Sequence, residues 1–342
     1  MRAWTIDSFG RDNLKFVEMA RPEPGPGDVL VQVANVSLNY RDQLVIDGKF
    51  GGGFDFPFTP GSDLAGRVAS CGAGVTRFSA GDRVLSSYVP GWIDGLPPGS
   101  AARPFSTTMG GPLPGVLAEF VALPADWLVR APGSLSDAQA STLPVAGVTA
   151  WAALIEAGRL RAGQTVLVQG TGGVALFGVQ IARAHGAKVI VTSSDDAKLE
   201  RAKALGADIG VNRNVGDWAK AVIEVTGGRG VDHILEIAGG ANLAKSVEAA
   251  AVGGQISVIG IIEGLDLSAP VLPLMLKQLV VRGVFVGHRR ATEDFVTAVE
   301  TIGLQPVIDR RYPFEALPEA MAHLASGPFG KIVVDVAPAQ NG

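Results

Sequence analysis

The chain has one cysteine, Cys71, among 342 residues, so no intrachain disulfide can form. A single thiol fits a reducing compartment, and the sequence reads as cytoplasmic. Charged residues make up only 18% and the net charge is −4, which leaves no electrostatic footprint for nucleic acid. No run of about 18 apolar residues exists, so no membrane-spanning helix is expected. The N-terminus, Met1-Arg2-Ala3-Trp4-Thr5-Ile6-Asp7, meets an acid before a signal-peptide core could form. What is present is a hydrophobic content of 47%, the composition of a well-packed globular protein. The length suits two domains or one large one.

Texture changes along the chain. Residues 1–125 are rich in Gly and Pro, with short β-like runs such as Val29-Leu30-Val31-Gln32-Val33. Turn signals recur at Pro24-Gly25-Pro26-Gly27-Asp28, Gly72-Ala73-Gly74 and Ala80-Gly81-Asp82, arguing for a compact, mainly β domain. Residues 91–115 form a long Pro/Gly-rich connection, and loops of that length are usually functional. Ser136-Asp137-Ala138-Gln139 reads as a helix cap before a small-residue helix through Trp151. Strand candidates at 166–169, 188–192, 208–212, 232–237, 255–260 and 280–285 then alternate with helices. That alternation predicts an α/β fold with a doubly wound parallel sheet. A helix near 291–303 and a terminal strand at 330–336 follow. The expected divisions are 1–125, the α/β domain over 126–280, and 281–342, which completes it and returns to the first domain.

Within this stretch, residues 165–192 read as strand, glycine turn, helix, strand. Val166 to Val168 and Val189 to Val191 are short apolar runs suited to strands buried on both faces. Gly170, Gly172 and Gly173 turn the chain, and Val174 opens the helix. Free N–H groups at that helix start favour a diphosphate, with Gly172 allowing close backbone approach. The third glycine of G-x-G-x-x-G is Ala175 here. By itself the motif is weak, but a complete βαβ unit around it supports dinucleotide binding.

An acid at the end of the second strand of such a unit favours NAD. Here that position is Ser193, followed by Ser194; Asp195 and Asp196 fall where helix caps belong. A small hydroxyl leaves room for a 2′-phosphate. Lys198 and Arg213 could pair with that phosphate or serve as ordinary surface charges. Together these residues favour NADPH over NADH.

Several segments, in their order and spacing, carry a family resemblance over essentially the full length. They are Gly27-Asp28-Val29-Leu30-Val31, Ser37-Leu38-Asn39-Tyr40-Arg41-Asp42, Pro60-Gly61-Ser62-Asp63-Leu64-Ala65-Gly66, Gly81-Asp82-Arg83-Val84, Gly115-Val116-Leu117-Ala118-Glu119-Phe120 and the glycine loop. The chain resembles the medium-chain dehydrogenase/reductase superfamily. The resemblance implies a GroES-like β domain whose ends flank a Rossmann domain, an active site in the cleft between them, and homodimers or homotetramers. It also implies cofactor contacts from Thr149, from Gly239, Gly260, Ile261, Val286 and Gly287 at strand ends, and from Lys331; Gly260 and Gly287 equally suit plain turns.

Zinc-binding members of the superfamily hold the metal with cysteine and histidine, in near-tetrahedral array. The corresponding stretches read Val36-Ser37-Leu38-Asn39, Gly61-Ser62-Asp63 and Leu143-Pro144-Val145-Ala146-Gly147, without either residue. The four histidines, His185, His233, His288 and His323, suit surface or packed positions better. No zinc is expected. Hydride delivery to a quinone or activated C=C bond then needs less than alcohol oxidation would. The Ser-Leu-Asn-Tyr-Arg-Asp pattern is similar to quinone oxidoreductases and enoyl reductases. That similarity assigns Asn39 to the nicotinamide side and Asp42 to loop support. Some relatives carry a catalytic tyrosine where Phe50 falls here; Tyr40 could serve instead, as a proton donor or merely a packed aromatic. The expected partner is a small apolar carbonyl or quinone substrate, lined by Tyr40, Phe50, Phe54, Trp92 and Leu113, with loops 47–58 and 91–115 shaping the pocket. The alternatives are an alcohol dehydrogenase or aldehyde reductase, and a protein that binds NADPH without turnover.

Overall fold

The structure is a computed structural model and describes residues 1–50, 53–104 and 107–337. Residues 51–52 and 105–106 of the two expected pocket loops lie outside the described residues. The chain divides into two compact units: Met1–Ala146 with the chain from His288 onward, and Gly147–Gly287. Both divisions come later in the chain than the change in texture suggested. The reason is that short elements after residue 125 still pair with the first unit's sheet.

In that first unit, β1 (Arg2–Ile6) pairs antiparallel with β2 (Leu14–Glu18). The long β3 (Asp28–Leu38) buries Val29, Val31, Val33, Val36 and Leu38, and α1 (Tyr40–Ile46) follows it. Next come β4 (Asp63–Cys71), β5 (Arg83–Ser86), β6 (Phe120–Pro124) and β7 (Leu128–Arg130). The expected cap is realised at α2 (Asp137–Ala140), where Ser136 and Gln139 form a reciprocal capping box. The helix does not run on unbroken to Trp151. Pro144 lacks an N–H and crowds the preceding turn, and π-helical turns at Leu143–Gly147 and Ala152–Glu156 flank the short α3 (Val148–Trp151).

The second unit alternates as expected. Its elements are β8 (Thr165–Gln169), α4 (Gly173–Ala184), β9 (Lys188–Ser193), α5 (Asp196–Ala204), β10 (Ile209–Asn212) and α6 (Trp218–Val225). They continue with β11 (Val231–Glu236), α7 (Asn242–Ala249), β12 (Ala250–Val258), α8 (Val271–Leu276) and β13 (Val280–Gly283). All six strands are parallel, in the order β10-β9-β8-β11-β12-β13. The order reverses between β8 and β11, and ligands of such sheets bind beyond the carboxyl ends at that switch point. Core residues Leu167, Ile190, Ile234 and Ile256 are fully buried, as strands covered on both faces require. Gly178 admits α4 against the sheet: a Cβ there would lie 2.4 Å from Leu235 Cδ1.

The chain returns to the first unit through α9 (Arg289–Ile302), β14 (Ile308–Pro313), α10 (Leu317–Ala325) and β15 (Lys331–Asp335). β15 runs antiparallel to β3, pairing Ile332 with Leu38, and that pairing brings Lys331 beside the β3–α1 turn. The sheet order is β14-β15-β3-β4-β5-β7, with β6 also on β3.

Candidate functional site

In the first unit, polar groups converge where β3 passes into α1. Asn39 is extended (φ −124°) and its N–H donates to Asp42 Oδ2 at 2.8 Å, so Asp42 secures the start of the helix. Lys331 Nζ is buried and donates to Leu38 O and Asn39 Oδ1, both at 2.5 Å. An ammonium only donates, so the Asn39 atom facing it is its oxygen and the amide orientation is determined. The Asn39 Nδ2 then donates to Ser62 Oγ (3.3 Å), and Ser62 Oγ donates to Asp63 Oδ1 (2.6 Å). Val145 N–H donates to Asp63 Oδ2 at 3.1 Å. The backbone around Ser62 is itself held, since Ser86 Oγ donates to Ser62 O and accepts from Leu64 N–H.

Burial governs the protonation of this cluster. Desolvation pushes the Asp63 carboxyl up to about 6, although Lys331 and Ser62 pull it down. Burial likewise raises Asp42, opposed by Arg41, and lowers Lys331, opposed by Asp63 and Asp42. Desolvation thus disfavours the charged form of each of the three groups, and their mutual attraction favours it. Arg41 extends the network outward. Its guanidinium donates to Met109 O (3.1 Å), Gly110 O (2.9 Å), Thr108 Oγ1 (3.0 Å) and Gly111 O (3.3 Å), pinning the loop at 108–111. Tyr88, buried and hydrogen-bonded to Thr108, sits 5.2 Å from the Arg41 guanidinium.

Asn39, Asp42 and Lys331 are thus brought together. Lys331 belongs to this network of the first unit. Tyr40, beside them in sequence, is 48% exposed. Phe50 and Phe54 pack on a small core of Ile6, Val45 and Phe58. Leu113 is half-buried, and the half-buried Trp92 makes an edge contact with His288.

A metal finds poor donors here. Among the described residues no three His, Cys, Asp or Glu are grouped to hold one. The positions corresponding to zinc ligands carry the Asn39 amide, the Ser62 hydroxyl and the Asp63 carboxylate, whose Oδ1 and Oδ2 already accept from Ser62 and Val145. Zinc calls for a near-tetrahedral set of thiolate, imidazole or carboxylate groups, and the Lys331 charge opposes a second cation beside it.

In the second unit the glycine turn lies between β8 and α4. Gly170 has φ +77° and its N–H donates to Thr192 O at 2.8 Å. Gly172 is the residue before α4 and offers no side-chain cap, so the helix's first N–H groups stay available for an anion. A Cβ at Gly170 or Gly172 would meet nothing within 4 Å: the turn leaves an open cradle. Gly173 and Val174 begin the helix. Thr149, on the neighbouring α3, is 1% exposed, and its Oγ1 finds no partner among the described residues. An open glycine cradle and an orphaned hydroxyl fit a dinucleotide.

Ser193 ends β9 and its Oγ accepts from Asp195 N–H (3.2 Å). Asp195 caps α5 through Lys198 N–H, and Asp196 accepts from Asn212 Nδ2 (2.7 Å). Asp195 is the cap its spacing implied, whereas Asp196 lies inside the helix and ties it to the end of β10 instead. Ser194 and Arg213 are exposed, and Arg213 N–H donates to Ser193 O at 2.8 Å, so Arg213 emerges beside Ser193. Gly239 (φ +72°) and Gly260 press together: a Cβ on Gly239 would be 2.7 Å from Gly260 O, and one on Gly260 would be 1.7 Å from Ile237 O. Close backbone packing therefore accounts for both glycines. Ile261 is half-buried, and Val286 and Gly287 are buried.

Sequence reasoning missed Arg41, Tyr88 and Thr108, and took Ser62 and Asp63 only as missing ligands. It also missed a second buried cluster, Gln169, Glu236, Asn242 and Ser246. A signal for the latter exists, since Glu236 is an acid that follows the apolar pair Ile234-Leu235 at the end of its strand.

Residues 25–133 match the family described as alcohol dehydrogenase GroES-like domain, and residues 173–303 match zinc-binding dehydrogenase. A zinc-type alcohol dehydrogenase-like protein of Schizosaccharomyces pombe is 37% identical, over 96% of each chain. The quinone oxidoreductase of Pongo abelii is 30% identical, covering 98% of this chain and 97% of its own. A solved Sinorhizobium meliloti protein is 56% identical, covers 98% of each chain and superposes with a TM-score of 0.96. With this likeness running through both units, the chain belongs to the medium-chain dehydrogenase/reductase superfamily, on its quinone oxidoreductase-like branch, as an oxidoreductase of a family that binds a nicotinamide cofactor.

Proposed function

We propose that this protein is an NADPH-dependent, zinc-independent reductase that delivers hydride to quinones or α,β-unsaturated carbonyl compounds. One observation carries the reading: the buried Lys331 ammonium, donating to Asn39 Oδ1, occupies the cluster where relatives of zinc type need metal donors. A nicotinamide cofactor supplies the hydride when bound. The chain's own residues bind and orient. Gly170, Gly172, Gly173 and Val174 cradle the diphosphate, and Thr149 offers its unpaired hydroxyl. Asn39, held by Lys331, presents its amide at a determined orientation, and Asp42 fixes the turn that carries it. Tyr40, exposed on α1, is the hydroxyl of this segment open to a proton-transfer role, with solvent as the other source.

NADPH is preferred in this reading because Ser193 leaves space where a carboxylate would repel a 2′-phosphate. Asp195 and Asp196 are tied into local hydrogen bonds, while Arg213 and Lys198 flank the position. Ser194, Ile261, Val286, Gly239, Gly260 and Gly287 complete the proposed cofactor contacts at the strand ends.

The proposed assembly is a homodimer through the second unit. β13 is an edge strand with all four residues exposed, and α8 exposes Val271, Leu272, Met275 and Leu276 by 63–71%. Apolar edges of this kind invite pairing, and a second copy would cover them.

The test is an oxidation screen of NADPH and NADH against quinones, enones and aldehydes, with metal content measured on the same sample. NADPH-driven turnover of quinones or enones, insensitive to chelators, is expected. Stoichiometric zinc whose removal abolishes activity would overturn the reading, as would binding of NADPH without turnover of any acceptor.

A further inference from the structure

The reductase reading leaves unused the most heavily satisfied carboxylate of the second unit. Glu236 ends β11, fully buried. Its Oε1 accepts from Ala238 N–H (3.1 Å), Gly239 N–H (3.0 Å) and Asn242 Nδ2 (2.9 Å). Its Oε2 accepts from Gln169 Nε2 (2.9 Å), from Asn242 Nδ2 (3.1 Å) and from the Ser246 hydroxyl. Gln169 ends β8, immediately before the glycine turn, and its Oε1 accepts from Ile237 N–H (3.2 Å) and Asn242 Nδ2 (3.1 Å). The Glu236 backbone O meanwhile accepts from Ile259 and Gly260 N–H, beyond the end of β12.

One acid therefore ties together the ends of β8, β11 and β12. These are the three strands at and beside the point where the sheet order reverses. Burying a carboxylate is costly unless its lone pairs are filled, and here five groups fill them. Charge-assisted bonds are shorter and stronger than neutral ones, so the turn at 237–240 is held more stiffly than an amide would hold it. Gly239 and Gly240 are pressed on Gly260 O and Glu263 O, so the turn has no slack of its own.

We infer that Glu236 and Gln169 are a positioning pair: they hold the 237–240 turn and the start of the glycine turn in the register that accepts a dinucleotide. The inference rests on the dinucleotide reading of this unit. The pair acts through the backbone it holds.

The chemistry of the pair supplies its own test, because the donors and acceptors can be exchanged between the two strands. In Gln169→Glu/Glu236→Gln, the new amide oxygen accepts from Ala238 and Gly239 N–H. Its NH2 group then donates to the new carboxylate, which also takes Ile237 N–H, Asn242 and Ser246. Every bond has a counterpart except that from Asn242 Nδ2 to Oε2 of residue 236, and Asn242 keeps its acceptors at the other oxygen of residue 236 and at residue 169. Glu236→Gln alone aims an NH2 group at the donors of Gln169 and Ser246, and Gln169→Glu alone sets two carboxylates face to face. Dissociation constants for NADPH and NADH are measured by fluorescence titration, alongside thermal midpoints and the KM for the acceptor. Each single variant is expected to weaken dinucleotide binding at least tenfold with little change in acceptor KM. The exchanged pair should return to within about threefold of the parent. Should a single variant fail to fold, Ser246→Ala, which removes one donor and no charge, is expected to weaken binding about threefold while remaining folded.

Folded single variants that bind dinucleotide as the parent does would overturn the positioning role. So would an exchanged pair that recovers its thermal midpoint but not its affinity, because the pair would then serve stability alone. A parent protein that binds neither NADPH nor NADH would overturn the dinucleotide reading itself, and this inference with it.

Discussion

Replacing Asp63 by Asn tests the physical account of the buried cluster. Asp63 is fully buried, and desolvation raises its carboxyl from an ordinary 3.8 to about 6. Between those two values the unfolded chain has released the proton while the folded chain still holds it, so stability falls as pH rises. The contribution is fully present below pH 3.8 and lost as pH passes through about 6. At about 1.4 kcal/mol per pH unit, the whole effect is about 3 kcal/mol. Roughly 2 kcal/mol of it falls between pH 4.5 and 7.5. Asparagine keeps the shape, can accept from Val145 N–H and donate to Ser62, and carries no titrating proton. Urea denaturation of both proteins is followed at several pH values on the transition that the substitution moves. The stability of the parent minus that of Asp63→Asn should fall by about 2 kcal/mol from pH 4.5 to 7.5. A difference that is flat, or that rises with pH, would refute the desolvation argument.

Lys331→Met removes the buried donor to Leu38 O and Asn39 Oδ1 and the charge that pulls Asp63 and Asp42 down, and should cost about 3–5 kcal/mol at neutral pH. Without the ammonium both acids retain protons more tightly, so the loss should be larger at pH 8 than at pH 5 in the same denaturation assay. Gly172→Val meets open space at φ −79°, so its thermal midpoint should stay within a few degrees, while dinucleotide affinity by titration drops more than tenfold. Ser193→Asp should narrow or reverse the preference for NADPH over NADH; equal affinities in the parent would defeat the assignment to Ser193, Lys198 and Arg213. Val281→Lys places a charge on the exposed edge strand β13 and should shift a homodimer toward monomer in light scattering, with secondary structure unchanged.

How legible these features were depended on how local their cause is. The parallel sheet was readable because strands covered on both faces are continuous apolar runs, as at Val166–Val168 and Val189–Val191. The α5 cap at Asp195 was readable because capping is settled within one turn. The helix expected through Trp151 was misread because the small residues around it masked what Pro144 does to the turn. Arg41 was passed over because its acceptors are backbone carbonyls at 109–111, far along the chain and without a sequence signature.

By itself the sequence determined the family, the glycine turn and the replacement of cysteine and histidine at the zinc positions, since each depends on residue type at short spacing. Tertiary structure decided what replaced the metal donors. Lys331 reaches Asn39 only because β15 pairs antiparallel with β3 across 292 positions of chain. Glu236 meets Gln169 only because β11 lies beside β8 in the sheet. Buried charges must find partners wherever the fold supplies them, and strand pairing, which follows from the packing of the whole chain, chooses those partners.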